Sequence, residues 1–247
     1  MYKFLLFLLF APLAAAQTLR LAAAADLQPV LPPILQEFEA KTGIHVDASY
    51  QSSATLTTQI QNGAPFDLFM AADLSFPQRV VASGLADSEQ PVTYARGTLV
   101  LWTRNDSPFP QLSVDTLRDP ALKTLAIANA EHAPYGRAAE ASLKSLGLYD
   151  QLKPKFVVAE NIAQTAQYVD SGNSQIGLIS LTSALSERLQ SNGHYVVMPR
   201  DSYPAILQGA VVLKNSANRT AAHQLLDFLL SPAVQKKLAA RGLESPH

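Results

Sequence analysis

The sequence predicts an α/β protein built as two lobes, each a mixed sheet flanked by helices. Three observations predict it. Short apolar runs alternate with amphipathic stretches along the 247 residues, the pattern of strands interleaved with helices. Two extended, proline-marked stretches, QPVTYARGTLVLWT after Gly84 and MPRDSYPAILQGAVVL near the C-terminal end, flank a central block. A chain that leaves one lobe and later returns to it needs two such crossovers. Several strand ends pass into small or hydroxyl residues and then directly into a helix, the place where open α/β sheets receive ligands. A single sheet with long edge strands is the alternative that the pattern leaves open.

In chain order, the candidate strands are TLRLAAAA (18–25), IHVDASY (44–50), FDLFMAA (66–72), TLVLWT (98–103) and TLAIAN (124–129). KFVVA (155–159), QIGLIS (175–180), YVVMP (195–199) and AILQGAVVL (205–213) complete them. A helix over 53–62 places Leu56 and Ile60 on one face and stops at Gly63. Helices over 135–146 and 161–171 stop at Gly147 and Gly172, residues suited to C-terminal caps. After Asp26, residues Leu27, Leu31, Ile34, Leu35 and Phe38 share a face, but Pro29, Pro32 and Pro33 cannot all occupy one first turn. The spacing predicts a kink or a late start there. Two helices follow the last strand.

The N-terminus reads differently. Met1-Tyr-Lys precedes FLLFLLFAPL, an apolar run of about ten residues, and Ala14-Ala15-Ala16. One positive charge, a short apolar core and small residues at the end make a cleavable signal peptide over residues 1–16, with Gln17 first in the mature chain. A membrane anchor needs roughly twenty apolar residues. The expected location is a bacterial periplasm, and the absence of cysteine excludes a lipid attached at that position. It equally excludes thiol catalysis, cysteine-based zinc sites and iron–sulfur clusters. A near-even charge balance (19 basic and 20 acidic residues) gives no basic stripe for nucleic acid.

The chemistry concentrates at the strand ends LAAAAD (21–26), YQSSAT (50–55), NAEHAPYG (129–136), AENIAQ (159–164) and ISLTSA (179–184). Helix N-termini carry unpaired N–H groups and partial positive charge, so they suit anions. Small side chains let the backbone approach a ligand, and Ser52, Ser53 and Thr55 add hydroxyls. The same residues can instead serve only as caps for their own helices. Arg137 is the cation closest to these turns, and a solvated surface role is the alternative for it. The five histidines lack metal-ligand spacing, His132 reads as a structural hydrogen-bonding residue, and G-x-S-x-G, P-loop and G-x-G-x-x-G motifs are absent. No catalytic residue, no bare-cation site and no cofactor is expected. A Ser–His–Asp hydrolase, with the turns as an oxyanion hole, and a binding protein for a small organic anion are the competing classes.

Taken together, AAAADL, YQSSATLTTQIQNGAPFDLFMAAD, ANAEHAPYGRAAEASLKSLG, AENIAQTAQYV and IGLISLTSA resemble the molybdate-binding proteins of bacterial ABC transporters. They stand in that family's order and spacing over essentially the whole mature chain. The segment ending in NGAPFDLFMAAD is the most specific, and PYGRAA with ENIAQ resembles one branch. The resemblance implies a monomeric, two-lobed periplasmic binding protein that takes molybdate or tungstate and serves an ABC permease. It implies lobes over 17–95 plus 204–247 and over 96–203, hinged near 93–97 and 199–204. Its oxyanion site falls on Asp26, Ser53, Tyr135 and Ile162, the last two through backbone N–H, with a further hydroxyl at Ser180.

Two of these positions depart from the family pattern. Ser180 reaches less far than the tyrosine often found there. Asp26 stands where a neutral donor is expected, and an ionised carboxylate about 4 Å from a dianion costs roughly 4 kcal/mol per unit charge at an effective dielectric near 20. Three readings follow for Asp26: a helix cap that offers only its backbone N–H, a carboxyl kept protonated, or an acceptor for a proton that the ligand carries. Another tetrahedral oxyanion, phosphate or sulfate, is the alternative ligand.

Overall fold

The computed structural model describes residues 18–246, so the signal peptide expected over 1–16 lies outside the described residues. The chain begins with β1 (Thr18–Ala24), a single 3-10 turn at Ala25–Leu27, α1 (Leu31–Thr42), β2 (His45–Gln51), α2 (Ser53–Gln61), β3 (Leu68–Ala71), α3 (Ser75–Ala82) and β4 (Val92–Gly97). It continues through β5 (Leu99–Arg104), β6 (Leu125–Ala128), α4 (Pro134–Ser145), α5 (Tyr149–Leu152), β7 (Phe156–Ala159), α6 (Ile162–Asp170), β8 (Ile176–Ser180), α7 (Leu181–Ala184), α8 (Glu187–Asn192) and β9 (Gly193–Val197). The last elements are β10 (Ile206–Val212), α9 (Arg219–Leu230) and α10 (Pro232–Ala239).

These strands form two separate five-stranded sheets, ordered β2-β1-β3-β10-β4 and β7-β6-β8-β5-β9. The single-sheet alternative is therefore excluded. In the first sheet β1 runs parallel to β2 and β3, with Ala24 opposite Gln51 and Leu21 opposite Leu68, while β10 runs antiparallel to β3 and β4. In the second, β6 is parallel to β7 and β8, and β5 is antiparallel to β8 and β9. Every residue of β6 and β8 is buried, as expected of central strands covered on both faces, whereas Tyr195 and Val197 on the edge strand β9 stay exposed.

The proline problem after Asp26 resolves as a late start. The 3-10 turn ends at Leu27, and α1 begins at Leu31 with Pro32 and Pro33 in its first turn, where missing N–H groups cost no helical bond. Gly43 ends that helix at φ +71°, a left-handed conformation that side-chain-bearing residues avoid.

Side chains on alternate faces of β1 enter different cores. Leu19, Leu21 and Ala23 pack with α1 and α9, and Ala22 packs with Leu56, Phe69 and Phe76. The alanines at the strand ends behave otherwise. Ala24, Ala25 and Ala72 join the apolar cluster of the second sheet, beside Tyr135 and Ile162. The two lobes thus meet where β1 and β3 end.

Candidate functional site

Four helical N-termini converge at that meeting point: the 3-10 turn after β1 and α2 from the first lobe, and α4 and α6 from the second. They surround one small cavity lined by Asp26, Ser53, Ala72, Tyr135, Asn161 and Ile162, with Ala24, Ala25, Gln51, Ser52, Ala133 and Pro134 completing its wall.

Each N-terminus is locally determined. Ser52 caps α2, its hydroxyl accepting the Thr55 N–H at 3.1 Å, and Asn161 caps α6 by accepting the Gln164 N–H at 2.9 Å. These caps leave the following residues free to face the cavity. Pro134 opens α4, pre-set for a helical first turn. The amides of Ser53, Tyr135 and Ile162 lie in first turns, where the helix supplies no acceptor, and none of them is paired among the described residues. The Ser53 hydroxyl accepts the Ala72 N–H at 3.1 Å, so its own hydrogen is available to donate into the cavity. Ser53, Tyr135 and Ile162 are all buried.

Asp26 is the surprise of the site. It does not cap a helix: its carboxylate is fully buried, Oδ2 accepts the Gln208 Nε2–H at 2.5 Å, and Oδ1 has no partner among the described residues. The cap reading is thereby corrected, because the side chain makes no cap hydrogen bond and is held instead by Gln208. Burial pushes its pKa up from 3.8 to about 6, against the lowering effect of hydrogen bonds from Gln208 and Tyr135. Gln208 is held in turn, accepting the Tyr94 hydroxyl at 2.7 Å and donating to the Tyr135 hydroxyl at 3.3 Å. Burial also pushes both tyrosines well above their ordinary pKa, with the Asp26 charge adding to the effect.

Four of the five expected residues, Asp26, Ser53, Tyr135 and Ile162, line this one cavity. Ser180 does not. Its hydroxyl caps α7, accepting the Ser183 N–H at 3.2 Å and the Thr182 hydroxyl at 2.9 Å, so it is turned to its own helix. Tyr135, expected to act through its backbone N–H, also has its side chain engaged. The ring is buried and its hydroxyl accepts the Gln208 Nε2–H beside Asp26. Sequence reasoning passed over Gln208 and read Tyr94 only as a core or hinge residue. They sit in the two extended crossovers, and only the pairing of β10 with β4 brings them behind Asp26.

Arg137 lies outside this cavity. Its guanidinium pairs with Asp73 at the end of β3 and stacks over Phe76, 5.2 Å from the ring centroid. It bridges the two lobes rather than facing solvent alone. His132 pairs through Nδ1 with Glu160 at 2.9 Å, and its carbonyl accepts the Ala54 N–H across the cleft at 3.2 Å. Among the described residues no cluster of His, Asp or Glu could hold a metal ion, and no helix is long and apolar enough to cross a membrane.

Two open mixed sheets meeting around a small cavity of helix N-termini define a solute-binding protein of the two-lobed kind. A model of the bacterial extracellular solute-binding protein family matches residues 19–244, and this chain belongs to that family. It is 35% identical to the molybdate-binding protein ModA of Azotobacter vinelandii, over 95% of this chain and 92% of that protein. The ModA of Rhodobacter capsulatus is also 35% identical, over 90% of this chain and 85% of its own length. The solved structure of the Azotobacter vinelandii periplasmic molybdate-binding protein superposes with a TM-score of 0.87 at 29% identity, covering 93% of this chain and all of that one.

Proposed function

We propose that this protein captures molybdate, and tungstate with it, in the cavity between its lobes and delivers it to an ABC permease in the inner membrane. The observation that carries the reading is the set of unpaired amides of Ser53, Tyr135 and Ile162, with the Ser53 hydroxyl, around one small cavity between the lobes. Donors fixed in a buried site match a tetrahedral oxyanion by geometry, without a lysine or arginine clamp. The relatives named above bind molybdate by their titles, which supports the choice of ion. The protein works as an exported monomer in the periplasm. Its lobes, residues 17–95 plus 204–247 and residues 96–203, close on the ligand by bending near 93–97 and 199–204. A catalytic role is disfavoured, since Ser53 has no histidine partner among the described residues and its hydroxyl is engaged by the Ala72 amide.

The test is a melting experiment with separate additions of molybdate, tungstate, sulfate and phosphate. A ligand that binds only the native state stabilises it by about 2.7 kcal/mol at a hundredfold excess over Kd. For a chain of this size that is a rise of roughly 5–10 °C. Molybdate and tungstate should both produce it, and no rise with either sinks the proposal. The buried carboxylate of Asp26 favours one second reading, an oxyanion that brings its own proton, such as phosphate. A rise with phosphate alone establishes that reading instead.

A further inference from the structure

Asp26 leaves a charge unanswered. It lines the cavity wholly buried, with Oδ1 unpartnered and Oδ2 held by Gln208. The groups facing it are Tyr135 from α4, Gln208 from β10 and, through Gln208, Tyr94 from β4. All three are neutral hydrogen-bonding groups. Packed directly on its turn are β2, α6 and α7. Their titratable side chains, His45, Asp47 and Tyr50 on β2 and Tyr168 and Asp170 on α6, take no part in its hydrogen bonds or its titration. No lysine, arginine or histidine pairs with it among the described residues, and Arg137 is committed to Asp73. An ionised Asp26 beside a dianion would repel it with no cation to compensate. The environment built around Oδ2 consists of donors, which leaves Oδ1 as the place for a proton.

We infer that Asp26 is the site's proton-linked donor: binding of the oxyanion takes up one proton from solvent onto Asp26 Oδ1, and the neutral carboxyl donates it to a ligand oxygen. This rests on the reading of the cavity as an oxyanion site. The proton comes from water or buffer and is returned on release, so charge balances without any other partner. Burial, partly offset by hydrogen bonds, raises the carboxyl pKa to about 6, and a dianion placed beside it raises it further. Below that pH the free protein already carries the proton and affinity is flat. Above it each binding event must take up one proton from solvent, and affinity falls toward tenfold per pH unit. A donor at this position also selects for ions whose oxygens are all acceptors. Monohydrogen phosphate would have to turn a proton away from Asp26.

The experiment is titration calorimetry of the full-length mature protein with sodium molybdate, tungstate and sulfate at pH 5.5, 7 and 8. Each is run in two buffers of different ionisation enthalpy, which gives the protons bound per ion. Close to one proton is expected at pH 8, falling toward none at pH 5.5, with affinity dropping about tenfold between pH 7 and 8. Asp26→Asn keeps a neutral donor and should bind with no proton uptake and a flat pH profile, more tightly than the native protein at pH 8. Asp26→Ser serves as the second neutral variant should Asp26→Asn fold poorly. Binding without proton uptake at pH 8, or an unchanged slope in the neutral variants, overturns the inference and leaves the oxyanion reading intact. If none of the three ions binds at any pH, both fall together.

Discussion

A buried carboxyl without a cation has a cost to stability that can be measured without any ligand. The folded-state pKa of Asp26, about 6, lies above its ordinary 3.8, so the native state holds more protons than the unfolded chain between those values. Stability therefore falls as pH rises from about 4 to 6 and stays lower above that, by about 3 kcal/mol if no other group compensates. In the ligand-free protein Asp26→Asn should accordingly raise the stability at pH 7–8 by about 1–3 kcal/mol and change little at pH 4. Denaturant unfolding across that range reads the difference, and a gain that is the same at both pH values would show that ionisation is not the cause. At this scale the sequence was legible where chemistry is local. Ser53 and Ile162 follow a strand end and a capping residue, and their amides face the cavity as first-turn amides must. It was illegible where chemistry is assembled from afar. Gln208 is 182 positions from Asp26, Tyr94 is 114 from Gln208, and nothing near either residue marks it as part of a polar group. Ser180 misled for the opposite reason, since a serine after a strand serves a ligand or its own helix equally well.

The elements were easier to foresee, because apolar periodicity and caps act over a few residues. All nine expected strands are present within one or two residues of their expected limits, and the helices at α2, α4 and α6 begin and end close to the predicted positions. The exception is β4. Its residues were expected to be extended but not a separate strand, because its burial alternates irregularly and its pairing with β10 shifts at Gln208/Gly209. Pairing of this kind depends on the partner rather than on the strand's own pattern. The position of α4 can be tested. A Cβ on Gly136 would stand 2.4 Å from the Ala128 carbonyl oxygen and 2.8 Å from the Asn129 carbonyl carbon, both backbone atoms that cannot swing aside. Gly136→Ala should therefore cost about 1–3 kcal/mol and push the first turn of α4 away from the end of β6. With it move the Tyr135 amide and ring. Leu225→Ala, in the buried face of α9 and remote from the cavity, supplies a comparably or more destabilised control. Molybdate affinity should drop at least tenfold in Gly136→Ala and stay within about threefold in Leu225→Ala. Equal affinities in the two would remove α4 from the site.

At the scale of the whole molecule, several of the contacts that cross between the lobes are polar and lie at the rim. Arg137 on α4 pairs with Asp73 after β3, the Ala54 amide bonds the His132 carbonyl, and Arg200 pairs with Glu244, whose backbone is bridged to Arg96 of β4. A contact that spans a cleft exists only while the cleft is shut, so it biases closure more than it supports either lobe. The Arg137 side chain is 39% exposed, and ion pairs that open to solvent contribute only about 0.2–1 kcal/mol. That amount is small against unfolding but acts in full on an open–closed balance, where it amounts to roughly a 1.5- to 5-fold change. Arg137→Gln should thus leave the melting temperature of the free protein within about 2 °C of native while weakening molybdate binding about two- to fivefold, mostly through faster release. Asp73→Asn, which keeps the cap on the Phe76 amide, should do the same. The double variant should be no weaker than either single one, because both remove a single contact. Stopped-flow and calorimetry on the four proteins supply the cycle. Losses that simply add would mean that the two residues act separately and that the pair does not latch the cleft.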